Sequence, residues 1–250
     1  MIGRLKAALR PFRLYQAAGF AYNLIRDPAF RRGQWLRWRN PPGLFQSNPL
    51  TVPNRYPGIF RFVGEHLAKQ SHPRLLSFGC SSGDEVFSLR EYFPHAAIRG
   101  VDINPANIAA CRARHAREGN VSLIEFECKD SAADEARESY DAVFCMAVFQ
   151  RSSLKRDRAI ASCEPHLRFT DFAETVTGLA ACVKPGGFLV IRHSMFRFAD
   201  TDCARDFRAV LSRPVPREFF PRFDRHNRRL PDAAEEDVVF QKSGDAGDRD

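Results

Sequence analysis

Leu75-Leu76-Ser77-Phe78-Gly79-Cys80-Ser81-Ser82-Gly83-Asp84-Glu85 decides how this chain folds. Its apolar start reads as a buried strand, and small residues follow it at once. Gly79 and Gly83 allow a sharp turn and a close backbone approach, while Ser81 and Ser82 stay small and offer hydrogen bonds. Asp84–Tyr92 then suits a helix. A strand that runs through a small-residue turn into a helix is the unit from which open α/β sheets are built. In such sheets ligands bind beyond the carboxyl ends of the strands.

The same alternation continues along the chain. Arg74–Phe78, Ala97–Ile103, Val121–Cys128, Tyr140–Phe149 and Phe188–Ile191 read as strands. Pro105–Arg117 opens on Asn104 as N-cap with Pro105 at the first helical position, and Phe169–Val183 places Phe172, Val176, Leu179 and Ala180 on one face. Lys184-Pro-Gly-Gly187 reads as a sharp turn, and Asp237–Lys242 as a last edge strand. This β-α order predicts an α/β fold, a doubly wound and mostly parallel sheet, preceded by a basic helical N-terminal extension. The expected organisation is the extension over 1–43, a covering loop and helix over 44–70, the main domain over 71–242 and a disordered tail over 243–250.

Charge is uneven. Of the 38 Lys and Arg, 12 lie in residues 1–70 against only Asp27 and Glu65, so the net +8 belongs to the N-terminal part. Leu5, Ala8, Leu9 and Phe12 are spaced as a short amphipathic stripe. A solvated arm is one reading; an acidic protein or an anionic membrane surface as partner is another, and the nucleic-acid signal is weak. The seven cysteines contain no C-x-x-C pair, which points to reduced thiols and to no metal site. No apolar run is long enough for a membrane span or signal peptide. A soluble cytoplasmic protein is expected.

Asp102, with Ile103 beside it, ends the second strand 19 residues after Gly83. A carboxylate about 20 residues past a glycine turn can accept from ribose hydroxyls. With Asn104-Pro105 supplying the helix start, Asp102 is read as free for a ligand. Lys129-Asp130-Ser131 follows the third strand, where an acidic side chain can meet an adenine amine; a surface turn is the alternative. Cys145 and the residues after it form the expected floor between cofactor and substrate.

These features together resemble the class I S-adenosylmethionine-dependent methyltransferases: a glycine loop, an acidic ribose residue, an Asp before the fourth strand and a Lys-Pro-Gly-Gly turn before the fifth. The resemblance runs from about Leu75 to Ile191. It implies S-adenosylmethionine as cofactor, held by Gly79, Cys80, Ser81, Gly83, Asp102, Ile103, Asp130, Ser131 and Cys145. The loop Ser77–Glu85 is most similar to that of the chemotaxis-receptor glutamate methyltransferases. That likeness implies that Thr51 and Arg55 meet the methionine end, Arg55 its carboxylate, and that Glu85 faces the methionine amine. The chain departs from that group where Met146-Ala147 stands for Arg-Asn and Arg192-His-Ser-Met195 for Gly-His-Ser-Glu, so the receptor substrate does not carry over.

Methyl transfer to a protein carboxylate or a small molecule needs positioning of the acceptor, and a base only where the acceptor must lose a proton. On position, His193 is the candidate base, with Gln150 and Arg151 orienting the acceptor; for each, a structural role (a capping histidine, a surface arginine) is the stronger reading. Phe219, Phe220, Phe223 and His226 either close over the acceptor or pack beneath the last strands. Three alternatives stand beside the enzyme reading. One is a non-catalytic cofactor- or partner-binding protein. Another is a nucleic-acid methyltransferase, which lacks an Asn/Asp-Pro-Pro-Tyr motif here. The third is an NAD-dependent oxidoreductase, which Lys184–Gly187 disfavours.

Overall fold

The computed structural model describes residues 17–39, 44–46, 51–119, 123–154, 160–164, 166–215 and 221–244. The chain divides into two compact units, Met1–Asn40 and Pro41–Asp250. The expected stripe Leu5–Phe12 and the expected tail beyond Gly244 lie outside the described residues.

In the first unit, residues 17–26 (α1) and Pro28–Arg39 (α2) are helical. Asp27 joins them: its Oδ1 accepts the Phe30 N–H at 3.0 Å, satisfying a donor that the start of α2 leaves unpaired. Arg31 Nη1 reaches back to the carbonyls of Leu24 and Ile25, at 2.9 and 2.7 Å, and so closes the end of α1. Phe20 and Phe30 meet edge to face at 5.4 Å.

The second unit opens with helix α3 (Pro57–Leu67) and then alternates: β1 (Arg74–Phe78), α4 (Asp84–Tyr92), β2 (Ala97–Asp102), α5 (Pro105–Arg117), β3 (Ile124–Cys128), β4 (Tyr140–Met146), α6 (Phe169–Cys182), β5 (Val183–Arg192), β6 (Phe207–Pro214) and β7 (Glu235–Lys242). The sheet order is β3-β2-β1-β4-β5-β7-β6, with β1 to β5 parallel and β7 antiparallel to both neighbours. This order differs from the 3-2-1-4-5-6 order of dinucleotide-binding sheets.

Period-two alternation explains why the central strands read as continuous apolar runs. Leu76, Val143, Cys145 and Leu189 pack on the face covered by α6, whereas Leu75, Ala142, Phe144 and Val190 pack on the face covered by α3, α4 and α5. Both faces of the sheet are thus buried, and only the strand ends are left to carry a site.

Two expectations need correction. Asp237–Lys242 is not an edge: β7 starts at Glu235 and inserts between β5 and β6. The edge is β6, which the sequence reading omits. Arg208, Ser212, Arg213 and Pro214 break its apolar pattern, and pairing with β7 supplies what intrinsic preference does not.

Lys184-Pro-Gly-Gly187 is not a turn before β5 but a bulge within it. Tyr140 pairs with Val183, yet Ala142 pairs with Phe188, so the intervening residues loop out. A Cβ on Gly187 would stand 2.9 Å from the Asp141 carbonyl, which only glycine tolerates.

Asp141 locks this bulge. Its buried carboxylate accepts from Lys184 Nζ at 2.8 and 2.9 Å and from the Arg74 N–H at 2.7 Å, tying β1, β4 and β5 together at their amino ends. Among the described residues, no helix is long and apolar enough to cross a membrane.

Lys184→Met should cost roughly 2–3 kcal/mol, because it leaves a buried carboxylate with a single N–H donor. Lys184→Arg should recover most of that loss. Urea denaturation of the three proteins measures the difference, and equal midpoints would show that the pair contributes nothing.

Candidate active site

The site forms where β1, β4 and β5 end. Each of these strands turns through a residue in the left-handed region: Gly79 at φ 74° and Ser81 at 52° after β1, Ala147 at 61° after β4, His193 at 59° after β5. Such conformations are unfavourable for non-glycine residues and persist only where the surroundings impose them. Here the Ala147 N–H donates to the Arg192 carbonyl at 2.8 Å, so the turns after β4 and β5 hold one another.

In the turn after β1, the N–H groups of Gly79 and Cys80 both donate to the Val101 carbonyl, at 2.8 and 2.9 Å. The requirement for glycine at position 79 comes from the protein itself: an added Cβ would lie 2.7 Å from Val148 Cγ2. On the side where a Cβ would stand, Gly79 is covered by the loop after β4. Gly83, at φ 91°, precedes α4 and packs against Cys111 and Phe87. The buried Cys80 thiol is held well above its ordinary value by hydrogen bonding with Cys111 and by burial.

Asp102 is not the free carboxylate that the sequence suggests. Its Oδ2 accepts the Ser81 N–H at 2.9 Å. Its Oδ1 accepts both the Asn104 N–H at 2.8 Å and Asn107 Nδ2 at 3.0 Å. The chain after β2 curls back so that both asparagines lie over the carboxylate. One acceptor position remains, on Oδ2. Burial raises the Asp102 pKa, and these three hydrogen bonds oppose the rise. Asn104 caps α5 as expected, its side chain accepting the Ala106 N–H at 3.0 Å.

Beyond β3, the Lys129 N–H donates to the Asp102 carbonyl at 3.2 Å, which brings the exposed Asp130 and Ser131 to the same rim. Ile103 is half-buried beside Asp102.

A second group stands over β1 and β5. Ser77 Oγ, in β1, donates to Glu85 Oε1 at 2.7 Å, drawing this α4 side chain back over the strand. Burial raises the Glu85 pKa to about 7; the Ser77 hydrogen bond and the Arg55 charge pull the other way. Tyr56 Oη lies 3.2 Å from His193 Nδ1, with the two rings edge to face at 5.5 Å. Burial pushes the Tyr56 phenol up to about 12, so it stays neutral.

Behind His193, the buried Arg192 donates to Glu236 at 2.5 Å and to the Pro214 carbonyl at 2.9 Å. Burial raises the Glu236 pKa, and the Arg192 charge opposes the rise. Gln150 is 5% exposed; its Nε2 donates to the Ala147 carbonyl at 2.9 Å, while its buried Oε1 has no hydrogen-bond partner. A buried acceptor left unsatisfied costs about 1–3 kcal/mol, which a bound donor would recover.

The segment carrying Thr51 and Arg55 is pinned to α4. The Asn54 N–H donates to Ser88 Oγ at 2.8 Å, and Tyr92 Oη donates to Asn54 Oδ1 at 2.9 Å. Thr51 is half-buried, and Arg55 is exposed with its guanidinium 5.3 Å from the Tyr56 ring centre. Asn48, Pro49 and Leu50 lie outside the described residues.

Two expected contacts fall elsewhere. Cys145 is fully buried among core side chains, where its thiol is raised by burial. Arg151 donates to the carbonyls of Leu44 and His166, at 3.0 and 3.1 Å, and so joins two loops. Phe223 belongs to the core and His226 is exposed, whereas Phe219 and Phe220 lie outside the described residues.

The sequence reading missed Ser77, Asn54, Tyr56, Asn107 and Glu236. Of these, Tyr56 alone left a signal, its place next to Arg55. The donors and acceptors present fit S-adenosylmethionine: carboxylates at Glu85 and Asp102 for an amine and a ribose, and an unpaired amide oxygen at Gln150.

Residues 76–189 match a family model described as a methyltransferase domain. A malonyl-[acyl-carrier protein] O-methyltransferase of Paenibacillus sp. (strain JDR-2) is 25% identical over 124 residues, covering 49% of this chain and 39% of the relative. A ubiquinone biosynthesis O-methyltransferase of Bradyrhizobium sp. (strain ORS 278) is 31% identical over 120 residues, covering 47% and 38%. The chain thus spans less than two-fifths of the length of these curated relatives. Among solved structures, a methyltransferase from Thiobacillus denitrificans in complex with S-adenosyl-L-homocysteine aligns with a TM-score of 0.37 at 21% identity, covering 58% of this chain and 49% of that one. The matched stretch, 76–189, takes in the glycine turn after β1, Asp102 and most of β5, and is similar to a methyltransferase domain.

Proposed function

We propose that the protein is an S-adenosylmethionine-dependent methyltransferase acting on a small molecule or a protein carboxylate. One observation carries this reading. The methyltransferase-domain match runs from Leu76 to Leu189 and so includes the glycine turn, Glu85, Asp102 and Asp130. The bound cofactor supplies an electrophilic methyl group on a sulfonium.

The chain's own residues do the rest. Glu85, as a carboxylate, holds the amine of the cofactor, and Arg55 beside it meets the carboxylate. Asp102 Oδ2 offers its remaining acceptor position to one ribose hydroxyl, and Asp130 lies at the rim for the adenine amine. Gln150 accepts a hydrogen bond through Oε1 and so orients the acceptor. His193 takes the acceptor's proton at Nε2 when its Nδ1–H is donated to Tyr56 Oη, an arrangement that fixes the ring. The finer likeness to chemotaxis-receptor methyltransferases rests on the loop Ser77–Glu85 and extends to cofactor binding, not to substrate. A cofactor-binding protein without turnover is the second reading, favoured by the loss of Arg151 to loop anchoring.

Calorimetry with S-adenosylmethionine should show binding, and Asp102→Asn should weaken it at least about tenfold. No heat of binding in the intact protein would overturn the proposal. Transfer of labelled methyl to a fraction of cell extract separates the enzyme from the silent binder.

Glu85 makes a pH-dependent prediction. Only its carboxylate form pairs with an amine, so affinity should fall below about pH 7, approaching tenfold per pH unit, and level off above it. In the free protein the folded pKa lies above the ordinary 4.5, so the folded state binds the extra proton. Stability is then greatest at low pH and falls as pH rises through about 7. Glu85→Gln should abolish the pH dependence of binding while raising the Tm at alkaline pH by roughly 5 °C. A variant with unchanged affinity and Tm would remove Glu85 from the site.

A further inference from the structure

We propose that the helical unit 17–39 docks on an anionic phospholipid bilayer surface, with Trp35 and Trp38 entering the headgroup region. Seven large hydrophobic side chains are exposed among the described residues, and five of them are in this short unit: Phe20, Tyr22, Ile25, Trp35 and Trp38. Single exposed apolar residues are ordinary, but such a concentration marks an interaction surface.

Leu36 is buried, whereas Arg31, Trp35 and Trp38, at i, i+4 and i+7, form one exposed face with Trp38 81% and Trp35 51% exposed. On α1, Tyr22 and Ile25 are a turn apart and 60% and 76% exposed, and the Arg26 guanidinium lies 5.7 Å from the Tyr22 ring centre.

Charge selects the occupant. Residues 1–40 contain nine Lys and Arg and one acidic residue, Asp27, whose carboxylate is occupied in capping α2. Basic residues with Trp and Tyr on a helix that cannot span a bilayer suit the interface, where indole and phenol rings settle at headgroup level and guanidinium groups meet anionic lipid. A nucleic acid would use the positive charge and the flat rings. It offers nothing to an exposed Ile25, which gains only from an apolar phase.

The protein carries its own probe, because Trp35 and Trp38 are its only two tryptophans. The full chain is titrated with vesicles of phosphatidylcholine containing about a third phosphatidylglycerol, and with phosphatidylcholine alone. Tryptophan emission should shift to shorter wavelength and the protein should sediment with the anionic vesicles. Raising the salt to about 0.5 M should weaken the association at least about tenfold.

Trp35→Ala with Trp38→Ala, and separately Ile25→Ser, should each reduce sedimentation, the double variant by at least about tenfold. Circular dichroism of both variants shows whether the helices persist. Failure to sediment with anionic vesicles, equal binding to neutral ones, or full binding by both variants would overturn the proposal. So would emission changes produced by a single-stranded RNA oligonucleotide and not by vesicles.

Discussion

The Asp102 carboxylate is the constraint on which the carboxyl ends of β1 and β2 depend. It accepts from Ser81 in the turn after β1, from Asn104 at the start of α5 and from Asn107 one turn later. Without it the glycine turn, the end of β2 and α5 would have no shared polar anchor, and the two buried donors, the Asn104 N–H and Asn107 Nδ2, would lose their partner at about 1–3 kcal/mol each. The buried charge is tolerated because it receives these three donors. The same donors limit what it can give a ligand, since one acceptor position on Oδ2 is all that remains. An aspartate that looks like a pure ligand contact is first a clamp that shapes the pocket.

Around that clamp the fold stores unfavourable features instead of relieving them. Ala147 and His193 adopt left-handed backbone at the ends of adjacent strands, Gln150 keeps a buried oxygen unpaired, and Glu85 has a carboxyl that burial holds near neutrality. Each lowers the stability of the free protein, and all lie at the carboxyl ends of β1, β4 and β5. A ligand that pairs the Gln150 oxygen and the Glu85 carboxyl recovers part of this cost. The Asp141–Lys184 clamp at the opposite ends of the same strands shows the contrast: there every buried group has its partner.

How far the sequence foretells this arrangement depends on the range of the interactions. Local signals read true: Asn104-Pro105 starts α5, and β1 and α4 begin and end where their apolar runs and turn residues place them. Long-range pairing did not show. β6 has no pattern of its own and exists through its pairing with β7, and the Lys184–Gly187 bulge follows from a register shift against β4. Gly79 was readable as a turn but not as a seat for Val148, 69 positions further along the chain. Tyr56 and His193 meet across 137 positions, a contact that neither neighbourhood announces.

This difference in range also separates the two halves of the site. Glu85, Asp102 and Asp130 lie inside the stretch 76–189 that matches a methyltransferase domain. Tyr56, His193, Arg192 and Glu236 lie outside it, contributed by the segment before β1 and by the chain from the end of β5 onward. A cradle for one invariant cofactor can be built from local strand-turn-helix units, which leave a shared signature in sequence. An acceptor surface must differ with the acceptor, and under the proposed function all of it but Gln150 comes from distant segments that carry no such signature. Under the proposed function, the matched stretch holds the cofactor and the acceptor meets a neutral phenol on a histidine, next to the buried Arg192–Glu236 pair.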